Sequence, residues 1–213
     1  MLTTGDGFDW SPDGKKIVFQ RETGQCLPNY ADYEIFTIDV TTGVGTQLTN
    51  VPGCSGSVHP AWSPNGATIA YSRFDAPERG ANCWNFDVIY LMDSSGNPIG
   101  PITCGNDGYD DFAPYWSPDG NEIVFIRNVS PQNYYQLYKV NINTGTITKL
   151  TDSNGANFDE SIPAWSPDGA AIAVGSSKDG DYDIWLVNPD GGGYLKNLTN
   201  TNTEYDIHPA FER

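Results

Sequence analysis

The sequence predicts an all-β protein: a β-propeller of four-stranded antiparallel blades, with four full repeats plus stray strands at the ends. Three observations predict this fold. The motif Trp-Ser-Pro, followed by Asp or Asn and then Gly, occurs four times, and its tryptophans are Trp10, Trp62, Trp116 and Trp165. The 213 residues include 23 Gly and 15 Pro, an excess that favours many short turns. Apolar residues alternate or form short runs, without the period of a helix.

Each repeat contains the same elements in the same order. The repeats span approximately residues 7–50, 57–104, 111–151 and 160–199, with a partial fifth repeat at 206–213. Strand A ends at the motif tryptophan. Strand B is the apolar run after the motif, at 17–19, 69–71, 123–125 and 172–174. Strand C follows a variable loop, at 35–39, 89–93, 137–141 and 184–188. A short strand D is expected at the pairs Leu48-Thr49, Ile102-Thr103, Leu150-Thr151 and Leu198-Thr199.

The Ser-Pro-Asp-Gly sequence predicts the turn between strands A and B. Proline presets φ at the second turn position, Asp suits the third, and Gly supplies the left-handed residue that lets two twisted strands rejoin. Four such turns predict four hairpins, and four strands per repeat, arranged radially, describe propeller blades. We expect the four motif tryptophans to pack between neighbouring blades, and residues 1–213 to form a single propeller domain or a segment of one.

The ends of the chain resemble single strands of further repeats. Leu2-Thr3 matches the end of strand D, and residues 208–211 match strand A at 59–62. Proteins normally avoid unpaired strand edges. Three arrangements are therefore open: a segment of a longer propeller, a four-bladed ring with overlapping end strands, or end strands that pair with another copy.

The repeat is similar to the WD40-like (PD40-type) repeat of TolB-type β-propellers. The resemblance rests on Trp-Ser-Pro-Asp-Gly, the Ile-Ala/Val-aromatic strand B, Asp-Ile-Trp at 183–185 and the Leu-Thr pairs, and it covers nearly the whole chain. It implies the fold. It leaves the function open, because such propellers serve as partner-binding scaffolds, as gating domains of peptidases and, rarely, as lyases. TolB-type propellers commonly have six blades and TolB has a small N-terminal α/β domain; this chain has four repeats and lacks that domain.

The charge of the chain excludes several classes of partner. Its 11 Lys and Arg stand against 27 Asp and Glu, a net charge of −16, whereas nucleic acids and anionic membrane surfaces require a basic footprint. No apolar run approaches the length of a membrane span. Two histidines cannot form a three-histidine zinc site. Residues 1–6 lack the basic and apolar regions of a signal peptide, so we expect a mature or excised segment.

The four cysteines, Cys26, Cys54, Cys83 and Cys104, all lie in the first half of the chain. Three pairings are open, and the repeat logic favours Cys26–Cys54 and Cys83–Cys104, each of which would tie a long loop to its own blade. Disulfides indicate an extracellular or periplasmic location. The alternative is independent buried thiols; the cysteine spacing does not favour a zinc site.

Residues just before strand A are candidates for the mouth of the propeller channel, where propellers commonly bind ligands. This set is mostly acidic and consists of His59, Asp110, Asp111, Asp159, Glu160, Glu204, Asp206 and His208. Carboxylates clustered at a narrow mouth would bind calcium or a basic group of a partner. The alternative is that they are solvated loop residues that keep the protein soluble.

A second acidic candidate lies between strands B and C of repeat four. Asp179, Asp181 and Asp183 alternate as in part of a calcium loop, but the sixth-position Gly and the distal Glu of the complete loop are missing. An acid also precedes strand C in repeat one, which favours a role in hairpin structure. No cofactor is certain from the sequence, and calcium at these three residues is the candidate.

The evidence for catalysis in the sequence is weak. The sequence has no Gly-x-Ser-x-Gly elbow and no His-Glu-x-x-His, and 190–193 is expected to be a hairpin turn rather than a phosphate loop. We therefore predict a non-enzymatic, secreted or periplasmic propeller that acts as a protein-binding or assembly scaffold. Two alternatives are a self-assembling extracellular structural protein joined through its end strands, and the propeller domain of a larger enzyme, either a peptidase gate or polysaccharide-active. The sequence is also compatible with carbohydrate as a ligand.

Overall fold

The computed structural model describes residues 7–27, 30–51, 55–74, 87–103, 108–129, 134–152, 161–200 and 205–211, with side chains described outside 25–27 and 30–31. In these ranges the chain forms sixteen strands and no helix. They build four four-stranded antiparallel sheets, each in sequence order, one sheet per repeat. None of the described residues forms a helix long and apolar enough to cross a membrane.

The strands follow the repeats. Sheet 1 consists of β1 (Phe8–Trp10), β2 (Lys16–Leu27), β3 (Tyr30–Asp39) and β4 (Gly45–Gln47). Sheet 2 consists of β5 (Gly56–Trp62), β6 (Thr68–Phe74), β7 (Val88–Asp93) and β8 (Pro98–Pro101). Sheet 3 consists of β9 (Asp110–Trp116), β10 (Glu122–Asn128), β11 (Tyr135–Asn141) and β12 (Ile147–Lys149). Sheet 4 consists of β13 (Ala164–Trp165), β14 (Ile172–Ser176), β15 (Asp183–Val187) and β16 (Tyr194–Asn197). The all-β fold class and the assignment of strands A, B and C are confirmed.

The predicted turn between strands A and B forms in all four sheets. The Gly N–H donates to the Ser carbonyl of the motif at 2.9 Å in each copy, and the four glycines adopt φ of 69–74°. In sheet 3, the Ser117 hydroxyl donates to the Asp119 carboxylate (2.6 Å) and accepts from the Glu122 N–H (2.9 Å). The motif thus closes its turn with bonds between residues at most five apart, which is why the sequence alone predicts it.

The acid sensitivity of the fold should depend on these turns. The Ser117 hydroxyl, followed by the Asn121 N–H, lowers the pKa of Asp119 below 3.8. A carboxyl whose folded pKa is lowered stabilises the fold above its unfolded pKa, and this stabilisation is lost as the pH falls through the lowered value. We expect Asp119→Asn to reduce the loss of unfolding free energy between about pH 5 and about pH 2, measured by urea denaturation.

The natural control for this variant is Asn65, which stands at the same position of the turn in sheet 2. Its side-chain oxygen accepts from the Ser63 hydroxyl at 2.7 Å, so an amide maintains the turn without titrating. Asn65→Asp should increase the acid sensitivity. Equal acid profiles for the wild type and both variants would contradict the prediction.

The fourth strand differs from the prediction, because it ends just before the Leu-Thr pair instead of containing it. In sheet 1 the Leu48 N–H donates to the Ile35 carbonyl (2.8 Å), and the Ile35 N–H donates to the Thr49 hydroxyl (2.8 Å). The same Thr hydroxyl bond recurs in the other three sheets at 2.9–3.0 Å. At this point the threonine hydroxyl therefore takes the place of a backbone carbonyl as the hydrogen-bond acceptor.

The described chain divides into two compact units, each containing two sheets. The first comprises Met1–Gly108 and Phe112–Pro114, the second Tyr109–Asp111 and Tyr115–Arg213. In the first unit, one apolar cluster joins sheets 1 and 2, and its buried members are Val18, Ile35, Trp62, Ile69, Tyr71 and Met92. In the second unit, a corresponding cluster joins sheets 3 and 4, with buried members Val124, Ile126, Leu137, Leu150, Trp165, Ile172, Val174 and Val187.

The expected burial of the motif tryptophans holds for three of the four. Trp62 and Trp165 are each 5% exposed and pack between the two sheets of their units, and Trp116 is 6% exposed. For Trp10 the prediction is wrong, since its side chain is 45% exposed. Trp62 and Trp165 pack against the sheet that precedes their own within the same unit, and sheet 1 is the earlier of the two sheets in its unit.

The partial fifth repeat falls at the end of the described chain. Residues 205–211 contain no assigned strand. They lie against sheet 4, where the Asp206 N–H donates to the Tyr182 carbonyl at 2.8 Å. Leu2-Thr3 lies outside the described residues.

Candidate functional site

The three alternating aspartates of repeat four converge on one hairpin of sheet 4. Asp179 and Asp181 lie between β14 and β15, and Asp183 is the first residue of β15. The hairpin turns at Gly180, which has φ of 120° and donates its N–H to the Ser177 carbonyl at 3.1 Å. One ligand oxygen from each of the three carboxylates lies within 4.8 Å of the others, a spacing that can hold a metal ion.

Neutral side chains donate hydrogen bonds to two of the three carboxylates. Asp183, which is 1% exposed, accepts from the Thr199 hydroxyl (2.9 Å) and from the Asn197 side-chain amide (2.8 Å). Asp179 accepts from the same amide at 3.2 Å. No described residue is hydrogen-bonded to the buried Oδ2 atom of Asp181. Carboxylate oxygens have further lone pairs, so the cluster still offers oxygen ligands of the kind that calcium prefers.

The structural interpretation of these acids is best supported at Asp183, and the calcium interpretation at Asp181. Glu34 precedes strand C of sheet 1 as Asp183 does in sheet 4, and it likewise accepts a hydrogen bond from the Thr hydroxyl of its own sheet, Thr49. The carboxylate at this position thus has a structural role in both sheets. No such bond to Asp181 is found among the described residues, and a bound cation would account for its buried Oδ2 atom.

The described residues of the expected channel mouth differ in burial and in their partners. Asp111 is buried in an ion pair with Arg127, in which Nε donates to Oδ1 (2.7 Å) and Nη2 to Oδ2 (2.9 Å). Asp110 and Asp206 are partly exposed and His208 is exposed. Among the described residues, only Asp179, Asp181 and Asp183 form a group of three or more ligand side chains. Asp159, Glu160 and Glu204 lie outside the described residues.

The residue before the strand-A proline has an unusual backbone. His59, Ala113 and His208 adopt φ of 52°, 49° and 60°, in the left-handed region that non-glycine residues rarely occupy. In sheet 2 the His59 N–H donates to the Gln20 side-chain oxygen of sheet 1 at 2.8 Å. The position is therefore a repeated backbone feature at which sheets 1 and 2 meet.

The predicted disulfides fall outside what the structure describes. Cys54, Cys83 and Cys104 lie outside the described residues, as does the side chain of Cys26. Both pairings stay predictions.

An acidic cleft in the second unit was missed by sequence reasoning. It measures about 340 Å³ and is lined by the motif turns of sheets 3 and 4, by Trp165 and by Pro189-Asp190. Its acids are Asp119, Glu122, Asp168 and Asp190. The Ser117 and Ser166 hydroxyls lower the pKa values of Asp119 and Asp168, respectively, so both are charged at neutral pH.

The sequence contains a partial signal for this cleft. Asp119 and Asp168 belong to the repeated turn motif, and Asp190 to the Gly-rich hairpin at 190–193, whose glycines adopt φ of 86–94°. Glu122 is paired with Lys139 at 2.8 Å, so the other three carboxylates give the cleft its charge. Trp165 adds a buried indole N–H with no hydrogen-bond partner among the described residues.

Comparison of sequences relates the chain to TolB. An uncharacterized protein of Agrobacterium fabrum is 29% identical over 212 residues, which cover 95% of this chain and 61% of that protein. The Tol-Pal system protein TolB of Francisella tularensis is 23% identical over 230 residues, which cover 91% of this chain and 50% of that protein. The chain thus spans about half to three fifths of these relatives. No family model matches it.

Comparison of structures gives the same relationship. A structure assigned to TolB from Agrobacterium tumefaciens matches with a TM-score of 0.68 and 26% identity, over 92% of this chain and 62% of that one. Prolyl endopeptidases match with a TM-score of 0.63 at 15% identity, over 92% of this chain and 29% of theirs. An oligogalacturonate lyase of Vibrio parahaemolyticus matches with 0.62 at 15% identity, over 97% of this chain and 58% of that one. At such identities the enzymes share the fold alone.

Proposed function

We propose that this chain, a TolB-like β-propeller, is a non-enzymatic module that binds a protein partner through a cationic segment of that partner. The observation that carries the proposal is the acidic cleft between the turns of sheets 3 and 4. Three carboxylates there, Asp119, Asp168 and Asp190, have no lysine or arginine partner in the described part of the chain, and they line a volume of about 340 Å³, large enough for one or two side chains. Similarity to TolB, a Tol-Pal system protein, supports a binding role over catalysis.

The chemistry of the cleft fits a basic peptide segment. Lysine or arginine side chains would pair with the carboxylates through charge-assisted hydrogen bonds. The net charge of −16 would attract such a segment over a distance and make association dependent on salt. We place the protein in the periplasm or outside the cell, because four cysteines in the first half fit an oxidising compartment.

Charge reversal at the cleft should test this function. Asp190 is exposed, and its carboxylate makes no hydrogen bond to any residue that the structure describes, so Asp190→Lys should leave the fold intact. We expect this variant to bind a fluorescent oligolysine peptide about tenfold more weakly than wild type in an anisotropy titration, since each close ion pair that is lost and replaced by repulsion costs more than 1 kcal/mol.

The matched control is Glu22→Lys, which changes the net charge equally at an exposed site in sheet 1. It should weaken binding by no more than about twofold, through the general field alone. Equal losses in both variants would reject the cleft as the site. Purified Pal of a Tol-Pal system is the first protein probe, and its failure to bind would reject a Tol-Pal role for the chain.

We further propose that Asp179, Asp181 and Asp183 bind calcium. With calcium at a hundred times its dissociation constant, the folded state should gain about 2.7 kcal/mol over the chelator-treated protein. Melting scans with calcium and with chelator measure this gain. Asp181→Asn should abolish the calcium-dependent shift, whereas Asp190→Asn, outside the cluster, should preserve it. Identical melting temperatures of the wild type in both solutions would contradict calcium binding.

A further inference from the structure

A second cleft of the second unit lies between the end of strand β12 in sheet 3 and the outer strands of sheet 4. It measures about 540 Å³, within the range of about 300–1,000 Å³ that is typical of ligand pockets. Sheet 3 contributes residues 149–152, and sheet 4 contributes Lys178, Trp185 and Tyr194. We call it the lysine cleft. It shares no lining residue with the acidic cleft.

Trp185 and Tyr194 form an aromatic wall in the lysine cleft. Their rings meet edge to face, with centroids 5.2 Å apart. Both side chains pack on the apolar cluster of the second unit and are partly exposed. The Tyr194 hydroxyl is hydrogen-bonded to the hydroxyl of the buried Ser176 at 3.1 Å, which holds the ring in place. The wall is therefore fixed by contacts behind it.

The Lys178 ammonium lies against this wall, 4.5 Å from the centre of the Trp185 ring and 5.2 Å from that of Tyr194. It has no acidic partner in the part of the chain that the structure describes. Lys149, on the sheet 3 side, is instead paired with Asp152 at 2.9 Å. The cleft thus offers one ammonium to an anion, beside a pair that contains both a donor and an acceptor.

Sheet 4 differs here from the other three sheets. In each of those, a strand-B arginine lies over the strand-C aromatic ring, at 4.6 Å for Arg21, 4.9 Å for Arg73 and 5.1 Å for Arg127. The corresponding strand-B residue of sheet 4 is the buried Ser176, and the cation comes from Lys178, in the loop before β15. The repeat by itself therefore does not account for the cation in the lysine cleft.

We propose that the lysine cleft binds a sugar that carries a single carboxylate, a hexuronic acid within an otherwise neutral glycan. The apolar C–H face of the sugar would pack on the aromatic wall, and Lys178 would pair with the carboxylate through a charge-assisted hydrogen bond. The Lys149–Asp152 pair would bind neighbouring hydroxyls. A net charge of −16 favours a ligand with one negative charge over a polyanion, which the field of the protein would repel.

Titrations with cellobiouronic acid and with cellobiose test the proposal, because the two disaccharides differ only in a carboxylate that replaces a hydroxymethyl group. NMR measures both dissociation constants, in a chelator that prevents calcium from holding the carboxylate at the neighbouring Asp179. We expect wild type to bind the acid about tenfold more tightly, since one charge-assisted hydrogen bond distinguishes the two sugars. A wild type that does not bind cellobiouronic acid, or that binds both sugars equally, would overturn the proposal.

Lys178→Met removes the ammonium from an exposed side chain and should bind the acid no better than cellobiose. The matched control is Lys196→Met, which changes the net charge equally. Lys196 is exposed and is paired with Leu186, so it lies on the opposite face of sheet 4 from Trp185. This control should bind both sugars as wild type does. Equal losses in the two variants would assign the preference to net charge and reject the lysine cleft.

Trp185→Leu separates the aromatic wall from the charge. It should weaken the binding of both sugars by about tenfold, because it removes apolar contact area that does not depend on the carboxylate. Circular dichroism establishes that each variant is folded, and unchanged binding by folded Trp185→Leu would overturn the proposal. If this variant does not fold, the comparison of Lys178→Met with Lys196→Met decides the proposal.

Discussion

Replacing Arg127 with methionine is expected to lower the free energy of unfolding by about 3–5 kcal/mol. The side chains of Arg127 and Asp111 are 5% and 1% exposed, and two hydrogen bonds of 2.7 and 2.9 Å join them. The guanidinium also lies 5.1 Å from the centre of the Tyr138 ring. Loss of the arginine leaves the Asp111 carboxylate buried without its counter-charge, which is the main cost.

The repeat supplies a matched control for this substitution. Arg21 occupies the same position in sheet 1 and lies 4.6 Å from the centre of the Phe36 ring, but it is exposed and has no ion pair among the described residues. Arg21→Met should therefore cost less than about 1 kcal/mol. The double variant Asp111→Leu with Arg127→Met should recover most of the loss, since removing both charges also removes the buried unpaired group. Guanidinium denaturation measures all three, and equal effects at Arg21 and Arg127 would contradict the burial argument.

Replacing Trp165 with alanine should cost about 3–5 kcal/mol through loss of buried apolar surface and creation of a cavity. Trp165 is 5% exposed and lies in a cluster with Leu137 and Leu150, so no neighbouring side chain can fill its volume completely. The same motif provides the control, because Trp10 is 45% exposed. Trp10→Ala should cost less than about 1 kcal/mol.

The two tryptophan variants are compared by guanidinium denaturation at the same low protein concentration. A large loss for Trp10→Ala would contradict the argument from its 45% exposure. A small loss for Trp165→Ala would contradict its position in the core of the second unit.

The position of the candidate calcium site could be predicted from the sequence. Which of its aspartates has a structural role could not. Aspartates at every second residue of one hairpin are close together whatever the rest of the fold does, so the sequence was sufficient to propose Asp179, Asp181 and Asp183. The partners Asn197 and Thr199 come from the next strand, 14 and 16 residues from Asp183. Only their position distinguishes Asp183, which has a structural role, from Asp181, to which no such bond is found among the described residues.

The sequence by itself determined the four repeats, the strands A to C and the turns between them. It could do so because each turn is closed by bonds between residues at most five apart, such as those of Ser117, Asp119 and Glu122. Alternation of apolar residues then sets which face of each strand is buried.

The tertiary structure alone decided which members of a repeated set differ from the others. Trp10 and Trp165 have the same local sequence, yet their exposure differs because only Trp165 has a preceding sheet in its own unit. Asp111 was expected at a solvated mouth and lies in an ion pair, because Arg127 is on the neighbouring strand. The acidic cleft likewise forms where the turns of sheets 3 and 4 come together. Contacts between sheets depend on residues distant in sequence, and the repeat motif contains no information about them.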